Sequence, residues 1–429
     1  MKKRISILLF QGLICTLLLN GCNTYVEEKN EQVTPEFYEE ETAQTPESEQ
    51  DITEFNITEY DIEDDAEGIP DEDVEKRNQI GLNEEGISRI ISGQTGLYSF
   101  GRLNEKEKFL YAELVTILEQ RAQGIVVSSV LEEEIDKVFQ CVMNDHPEIF
   151  YVSGYTYTKY TLDAEVQRIA FSGSYTMDED QVLEAKKQID AYTSQCFLGI
   201  SPDAGEYEKV KYIYEYLIDH TEYDLSALEN QNMVSVCMYQ KSVCQGYAKT
   251  MQYLLNKAGI RATLVIGQVN TGEGHAWNLV WVDGEPYYVD ATWGDAFYRF
   301  EPSNYDASEQ ELPLINYDYL CVTTDAISRT HVVDHVVELP ICNSIAANYY
   351  VREGTYLTYY DDQIVSLLFQ KAYQEGKNYL TFKASSQEVY TAVTQNLIDE
   401  QKIFEFLSNE TKTVAYTTNE EYLTISFWL

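Results

Sequence analysis

The stretch His275-Ala276-Trp277-Asn278-Leu279-Val280-Trp281-Val282-Asp283-Gly284-Glu285-Pro286-Tyr287-Tyr288-Val289-Asp290-Ala291-Thr292-Trp293 decides the fold. Two runs rich in aromatic and β-branched residues meet at Asp283-Gly284, a dipeptide that tolerates the positive φ angles of a type I′ turn, so the pattern reads as a β-hairpin. With Asp283 and Gly284 as the loop, Val282 faces Glu285, Trp277 faces Asp290 and His275 faces Thr292. Facing residues share a side of the sheet and side chains alternate, so His275, Trp277, Asp290 and Thr292 project together. His275 and Asp290 become diagonal neighbours, roughly 7–8 Å apart by backbone. An imidazole and a carboxylate reaching toward each other close that gap to a hydrogen bond.

Upstream, Ile260 to Val269 reads as a further strand, and Asn270-Thr271-Gly272-Glu273-Gly274 as a turn. Before it, Tyr247, Ala248, Met251, Leu254, Leu255 and Ala258 recur at helical spacing, with Gly259 as a C-terminal stop and Ser242 as a reasonable N-cap. Cys244 then lies in the first turn, where unpaired N–H groups and the positive end of the dipole favour a thiolate. Its own N–H is available to an oxyanion. A cysteine at a helix start, with a histidine oriented by an aspartate nearby, is a nucleophile, base and orienter.

Ser242-Val243-Cys244-Gln245-Gly246-Tyr247-Ala248, Gly274-His275-Ala276-Trp277-Asn278 and Tyr288-Val289-Asp290-Ala291-Thr292-Trp293, in this order, resemble the core of the bacterial transglutaminase-like superfamily. The resemblance covers about residues 200–300. It implies an α+β, papain-like core in which a helix bearing the cysteine packs on an antiparallel sheet, and a catalytic triad of Cys244, His275 and Asp290. An oxyanion partner upstream of Cys244 is not marked by any motif; Gln240 and Tyr239 are the candidates, and Trp277 and Trp293 are candidate walls of the acyl site. Asp145-His146-Pro147-Glu148-Ile149-Phe150 resembles a region attached upstream of such cores in Gram-positive surface proteins.

At the N-terminus, Lys2, Lys3 and Arg4 precede an apolar run from Ile5 to Leu19, the layout of an export signal. Leu19-Asn20-Gly21-Cys22 resembles the lipobox of bacterial lipoproteins, which implies cleavage after Gly21 and a lipid on Cys22. Such an anchor would hold the protein on the extracytoplasmic face of a bacterial membrane. From there to Asn78 the chain is crowded with Asp and Glu, with Lys29, Lys76 and Arg77 as its basic residues. That composition reads as a disordered tether, because it cannot bury enough apolar surface to offset its ordering entropy.

The flanks read as α+β as well. Helical spacing appears from Leu103 to Gln123, Val130 to Met143 and Gly205 to His220, and strand patterning from Ile149 to Tyr160 and Val166 to Tyr175. Beyond Ile315, tyrosine-rich runs look like strands, followed by a helix near Gln387 to Leu407 and a last strand from Tyr422 to Leu429. The expected organisation is a signal peptide over 1–21, a tether over 22–80, an N-terminal region over 81–195, the core over 196–310 and a C-terminal region over 311–429.

A net charge of −42 over 429 residues works against a nucleic-acid partner, since no Lys and Arg cluster follows residue 4. No apolar run beyond the first twenty residues is long enough to span a bilayer. No Cys-x-x-Cys pair or calcium loop is present, and His331 and His335, on one strand-like run, diverge too far for easy chelation. Neither a metal nor another cofactor is expected. Besides Cys244, the chain keeps Cys141, Cys196, Cys237, Cys321 and Cys342, an odd number that leaves at least one unpaired. The expected function is a lipid-anchored cysteine enzyme acting on amide bonds of proteins or peptides, cell-wall peptides included, by cross-linking or hydrolysis. A cell-envelope cysteine peptidase and a catalytically idle surface-binding or scaffold protein are the alternatives.

Overall fold

The computed structural model describes residues 57–61, 69–163, 165–296, 315–407 and 414–429. The signal peptide, Cys22 and most of the expected tether lie outside the described residues. The described residues are α+β, and each of three four-stranded sheets carries its own helices and apolar core.

In the N-terminal sheet the strand Ile57–Asp61 runs parallel to Val152–Leu162, which pairs antiparallel with Glu165–Tyr175, and Ile125–Val126 closes the far edge. Two elements therefore arise inside the segment expected to be a tether: that edge strand and the helix Asp71–Gln79. Arg77 explains the second. Its guanidinium is buried, pairs with Glu113 at 2.6 Å and donates to the carbonyl of Val126 at 2.5 Å. One basic residue in an acidic run thus docks its helix on the helix Glu105–Gln120, which composition alone does not reveal.

The helix Glu179–Phe197 was not anticipated either. Asp178 caps it through a capping box with Gln181. Val182, Ala185 and Ile189 enter the N-terminal core, whereas Tyr192 and Cys196 enter the central one. The boundary expected at 195 and 196 thus falls within a continuous helix.

In the central sheet the strands lie in the order His331–Val333, Ala262–Val269, Gly274–Val282, Glu285–Val289, all antiparallel. The hairpin register is as read from the sequence, with Val282 opposite Glu285, and Asp283 and Gly284 have φ of 53° and 85°. Val280, Val282, Tyr287 and Val289 meet the helices Glu206–Asp219 and Cys244–Lys257 on one side. Leu279, Tyr288 and Trp277 pack on the other with Trp293, Tyr319 and Val322. The third sheet, Tyr356–Leu357, Tyr379–Ala384, Thr424–Trp428 and Tyr416–Asn419, belongs to the C-terminal part. Its tyrosine-rich runs are not all strands: Tyr317–Tyr319 is a 3₁₀ turn and Tyr349–Glu353 a short helix, with Tyr317 and Tyr349 stacked 3.7 Å apart. The helix Asp362–Gln374 is a further element the pattern concealed.

Gly267, on the inner strand, faces both His275 and Val333. A Cβ built there would lie 2.1 Å from the carbonyl oxygen of Val332 and 2.7 Å from the Trp277 ring. Gly267→Ala is therefore expected to cost about 1–3 kcal/mol through overpacking, measured as a lower urea midpoint at unchanged slope. An unchanged midpoint would mean that the edge strand moves aside without loss.

Among the described residues no helix is long and apolar enough to cross a membrane.

Candidate active site

Cys244 is the first residue of the helix Cys244–Lys257, in the turn expected for it, but the cap is Val243 and not Ser242. The Ser242 hydroxyl is turned inward instead, 2.6 Å from Ser235 Oγ and 3.1 Å from the carbonyl of Asn230. Gly246 makes this possible, since a Cβ there would lie 1.8 Å from Ser242 Oγ. The helix is tied to the hairpin by Asn278, whose amide donates to the carbonyl of Ala248 at 2.9 Å. Tyr247 ties it to the far side, donating to Asp295 at 2.6 Å.

The second hairpin strand ends at Val289, not at Trp293, and Ala291–Ala296 is helical. Asp290 causes the change. Its Oδ1 accepts the N–H groups of Thr292 at 2.9 Å and Trp293 at 3.1 Å, which turns the chain into a helix, while its own N–H donates to the carbonyl of Tyr319 at 3.0 Å. Thr292 consequently does not face His275 across a ladder.

Asp290 Oδ2 accepts from His275 Nε2 at 2.8 Å, with both side chains buried. Burial alone would lower the pKa of His275. The charge and hydrogen bond of Asp290, joined by a hydrogen bond and charge from Cys244, overcome this and raise it from 6.5 to about 10. Burial acts in the opposite sense on Asp290, but the His275 charge and bond, with a smaller share from His331, hold its carboxyl well below the usual carboxylate range. His275 thus bonds to Asp290 and lies close enough to Cys244 to be influenced by it.

The sequence reading missed His331. Its Nε2 lies 3.0 Å from the same Asp290 oxygen, and its ring is fully buried. Burial lowers its pKa, against the pull of Asp290. The one available signal was the strand-like run Thr330-His331-Val332-Val333, but which strand it joins depends on pairing with residues about sixty positions away, and that register is not legible locally. His335 lies beyond the strand and takes no part in it. Among the described residues, His275, Asp290 and His331 are the one group whose ligand-type atoms lie within 4.8 Å of one another. Their short contacts are hydrogen bonds converging on one carboxylate oxygen.

Trp277 and Trp293 wall this group. Trp277 lies 5.9 Å from the His275 ring and 4.8 Å from the His331 ring, and Trp293 lies 6.1 and 4.9 Å from the same two rings. Tyr239 and Gln240 sit on the exposed end of the turn before Lys241–Ser242; Gln240 is left-handed, and its carbonyl accepts from Glu222. The other five described cysteines are also free thiols. Burial pushes Cys141 and Cys196 up to about 12 and Cys342 to about 11, and raises Cys237 and Cys321 as well.

Residues 190–292 match the model of the Transglutaminase-like superfamily. Kyphoscoliosis peptidase of Mus musculus is 27% identical over 131 residues, 27% of this chain and 20% of that protein. The Homo sapiens protein of the same name is 31% identical over 103 residues, 20% of this chain and 16% of that protein. The matched segments span no more than a fifth of these relatives' length. A TGase of known structure aligns over 37% of this chain and 49% of its own, at 16% identity and a TM-score of 0.25. The segment that carries Cys244, His275 and Asp290 is the one that matches a transglutaminase-like domain.

Proposed function

We propose that the chain is a cysteine acyl-transfer enzyme acting on amide bonds of proteins or peptides. The observation that carries this reading is the buried His275, bonded to Asp290 on one ring nitrogen and interacting with Cys244. Cys244 as thiolate attacks the amide carbonyl, and the carbon–sulfur bond forms as a tetrahedral oxyanion develops. The Cys244 N–H, at the start of its helix, is free of an intrahelical partner and suits that oxyanion. When the carbon–nitrogen bond breaks, His275 gives its Nδ1 proton to the leaving amine, and a thioester on Cys244 remains. Water or a primary amine then attacks the thioester, passing a proton to His275 and releasing the thiolate. Throughout, Asp290 keeps the imidazole in one orientation and stabilises its cation.

Water as acceptor gives hydrolysis, in keeping with the peptidase name of the relatives above; an amine gives cross-linking. The proposal extends to location. The export signal and lipidated Cys22 would place the enzyme on the outer membrane face, where envelope proteins and cell-wall peptides are the available amides.

The test is product analysis. The full chain is incubated with a glutamine-rich protein, with and without a fluorescent primary amine, and the products are read by mass spectrometry. Amine incorporation marks transfer, and new termini or deamidated glutamines mark hydrolysis. Product formation equal in wild type and Cys244→Ala would sink the enzymatic reading in favour of a binding protein.

A further inference from the structure

The C-terminal part of the chain reaches the site through a file of hydrogen bonds. Tyr422, just before the strand Thr424–Trp428, has its hydroxyl 2.9 Å from Thr330 Oγ1. Thr330 Oγ1 lies 2.8 Å from His331 Nδ1, and His331 Nε2 lies 3.0 Å from Asp290 Oδ2. All four side chains are buried.

The Asp290 end of this file fixes the first donor, and a neutral His331 orders the rest against one competitor, the Ile327 carbonyl 3.5 Å from Thr330 Oγ1. Asp290, as a carboxylate, can only accept, so His331 Nε2 carries a hydrogen. A neutral His331 must then accept at Nδ1, so Thr330 donates to it, and the Thr330 oxygen accepts from Tyr422. The direction runs from Tyr422 through Thr330 and His331 to Asp290. With Thr292 and Trp293 on Oδ1 and the two histidines on Oδ2, the Asp290 carboxylate receives four hydrogen bonds. Those on Oδ1 already fix its orientation. What His331 adds is a neutral donor sharing the oxygen that holds the His275 proton.

We propose that His331 is a positioning residue that moderates the grip of Asp290 on His275, and that Tyr422, brought in by the C-terminal part, sets its tautomer. The proposal rests on the triad reading above. A donor stabilises the carboxylate and weakens its pull on the imidazolium, so that His275 can release its proton to a leaving amine. Room for it comes from Gly267, which lies between the two histidine-bearing strands without a side chain and leaves the ring centroids 5.1 Å apart. Tyr422 is itself held from its own side: Lys383 donates to its carbonyl at 2.8 Å and pairs with the buried Asp318 at 3.4 Å, while Thr424 donates to Asp318 at 3.1 Å. Other titratable groups facing the trio are Cys244 from its helix, Glu273 from the preceding turn, Tyr214 from Glu206–Asp219, Tyr223 from the short strand Glu222–Tyr223 and Tyr319, whose ring lies 6.0 Å from that of His331.

The test uses the full chain with ¹⁵N-labelled histidine. In wild type, His331 should show a protonated Nε2 and an unprotonated Nδ1 between pH 6 and 8; the opposite tautomer, or an imidazolium, overturns the proposal without any variant. His331→Phe keeps an aromatic ring in the cage and removes the donor. The pH at which His275 loses its proton should then rise by about half a unit to one unit. His331→Gln, which restores an N–H donor, should bring it back toward wild type. A merely structural role would loosen Asp290 and lower the His275 midpoint, so a fall or no change overturns the proposal. These signals do not depend on turnover: an unreactive Cys244 with the expected His275 shifts would defeat the enzymatic reading and leave the His331 inference standing.

Discussion

With His275 replaced by alanine, acyl transfer is expected to fall at least about a thousandfold in kcat/KM, and alkylation of Cys244 at pH 6 about 10- to 100-fold. The two figures differ because they read different roles. A thiol with an ordinary pKa near 8.5 is less than about 1% thiolate at pH 6, so losing the imidazolium starves the nucleophile. Part of that loss is recovered because a more basic thiolate is intrinsically more nucleophilic. Turnover also loses the proton donor for the leaving amine. Iodoacetamide labelling followed by peptide mass spectrometry checks the second figure. Burial raises the pKa of the other five described thiols, which makes them slow internal references. Equal labelling of Cys244 in both proteins would show that His275 does not activate it.

Asp290→Ala should be the most destabilising single change at the site, by about 3–5 kcal/mol near pH 6. The substitution removes the acceptor of two buried imidazoles and the cap of the helix Ala291–Ala296 at once. Asp290→Asn, which keeps the shape and an acceptor for the cap, should lose less stability while still losing reactivity.

The pH dependence has a definite sign. His275 in the folded chain sits above its ordinary 6.5, so its contribution is full below about 6.5 and is lost as the pH rises toward about 10. Asp290 is depressed from 3.8, so its contribution is present above that value and is lost as the pH falls below it. The urea-derived gap between wild type and Asp290→Ala should be widest between about pH 4 and 6.5. A gap that grew steadily to pH 10 would contradict the ion pair.

The hairpin was legible because both of its determinants are local: Asp283-Gly284 selects the turn, and alternation sets the register. Cys244 was legible for the same reason, since a helix start is written in the residues around it. Ser242 is a cap by residue type, but a buried serine partner and the space at Gly246 draw its hydroxyl inward. Alternation puts Asp290 on the correct face but does not show that the strand ends at Val289. A carboxylate that can fold back on the next two N–H groups ends a strand, and alternation does not show that. His331 was out of reach because its role depends on the edge strand crossing to Ala262–Val269 and on Tyr422 arriving from the turn before a strand of the third sheet. Arg77 was hidden in the acidic run for a similar reason: its partner Glu113 lies in another helix.

None of the six cysteines in the described residues is bridged. Tertiary structure here is secured by apolar cores and buried polar contacts, so assembling it calls for no oxidant and no isomerase to sort pairings. The described fold is therefore indifferent to the thiol–disulfide poise around it, and the Cys244 sulfur meets no structural disulfide there with which to exchange.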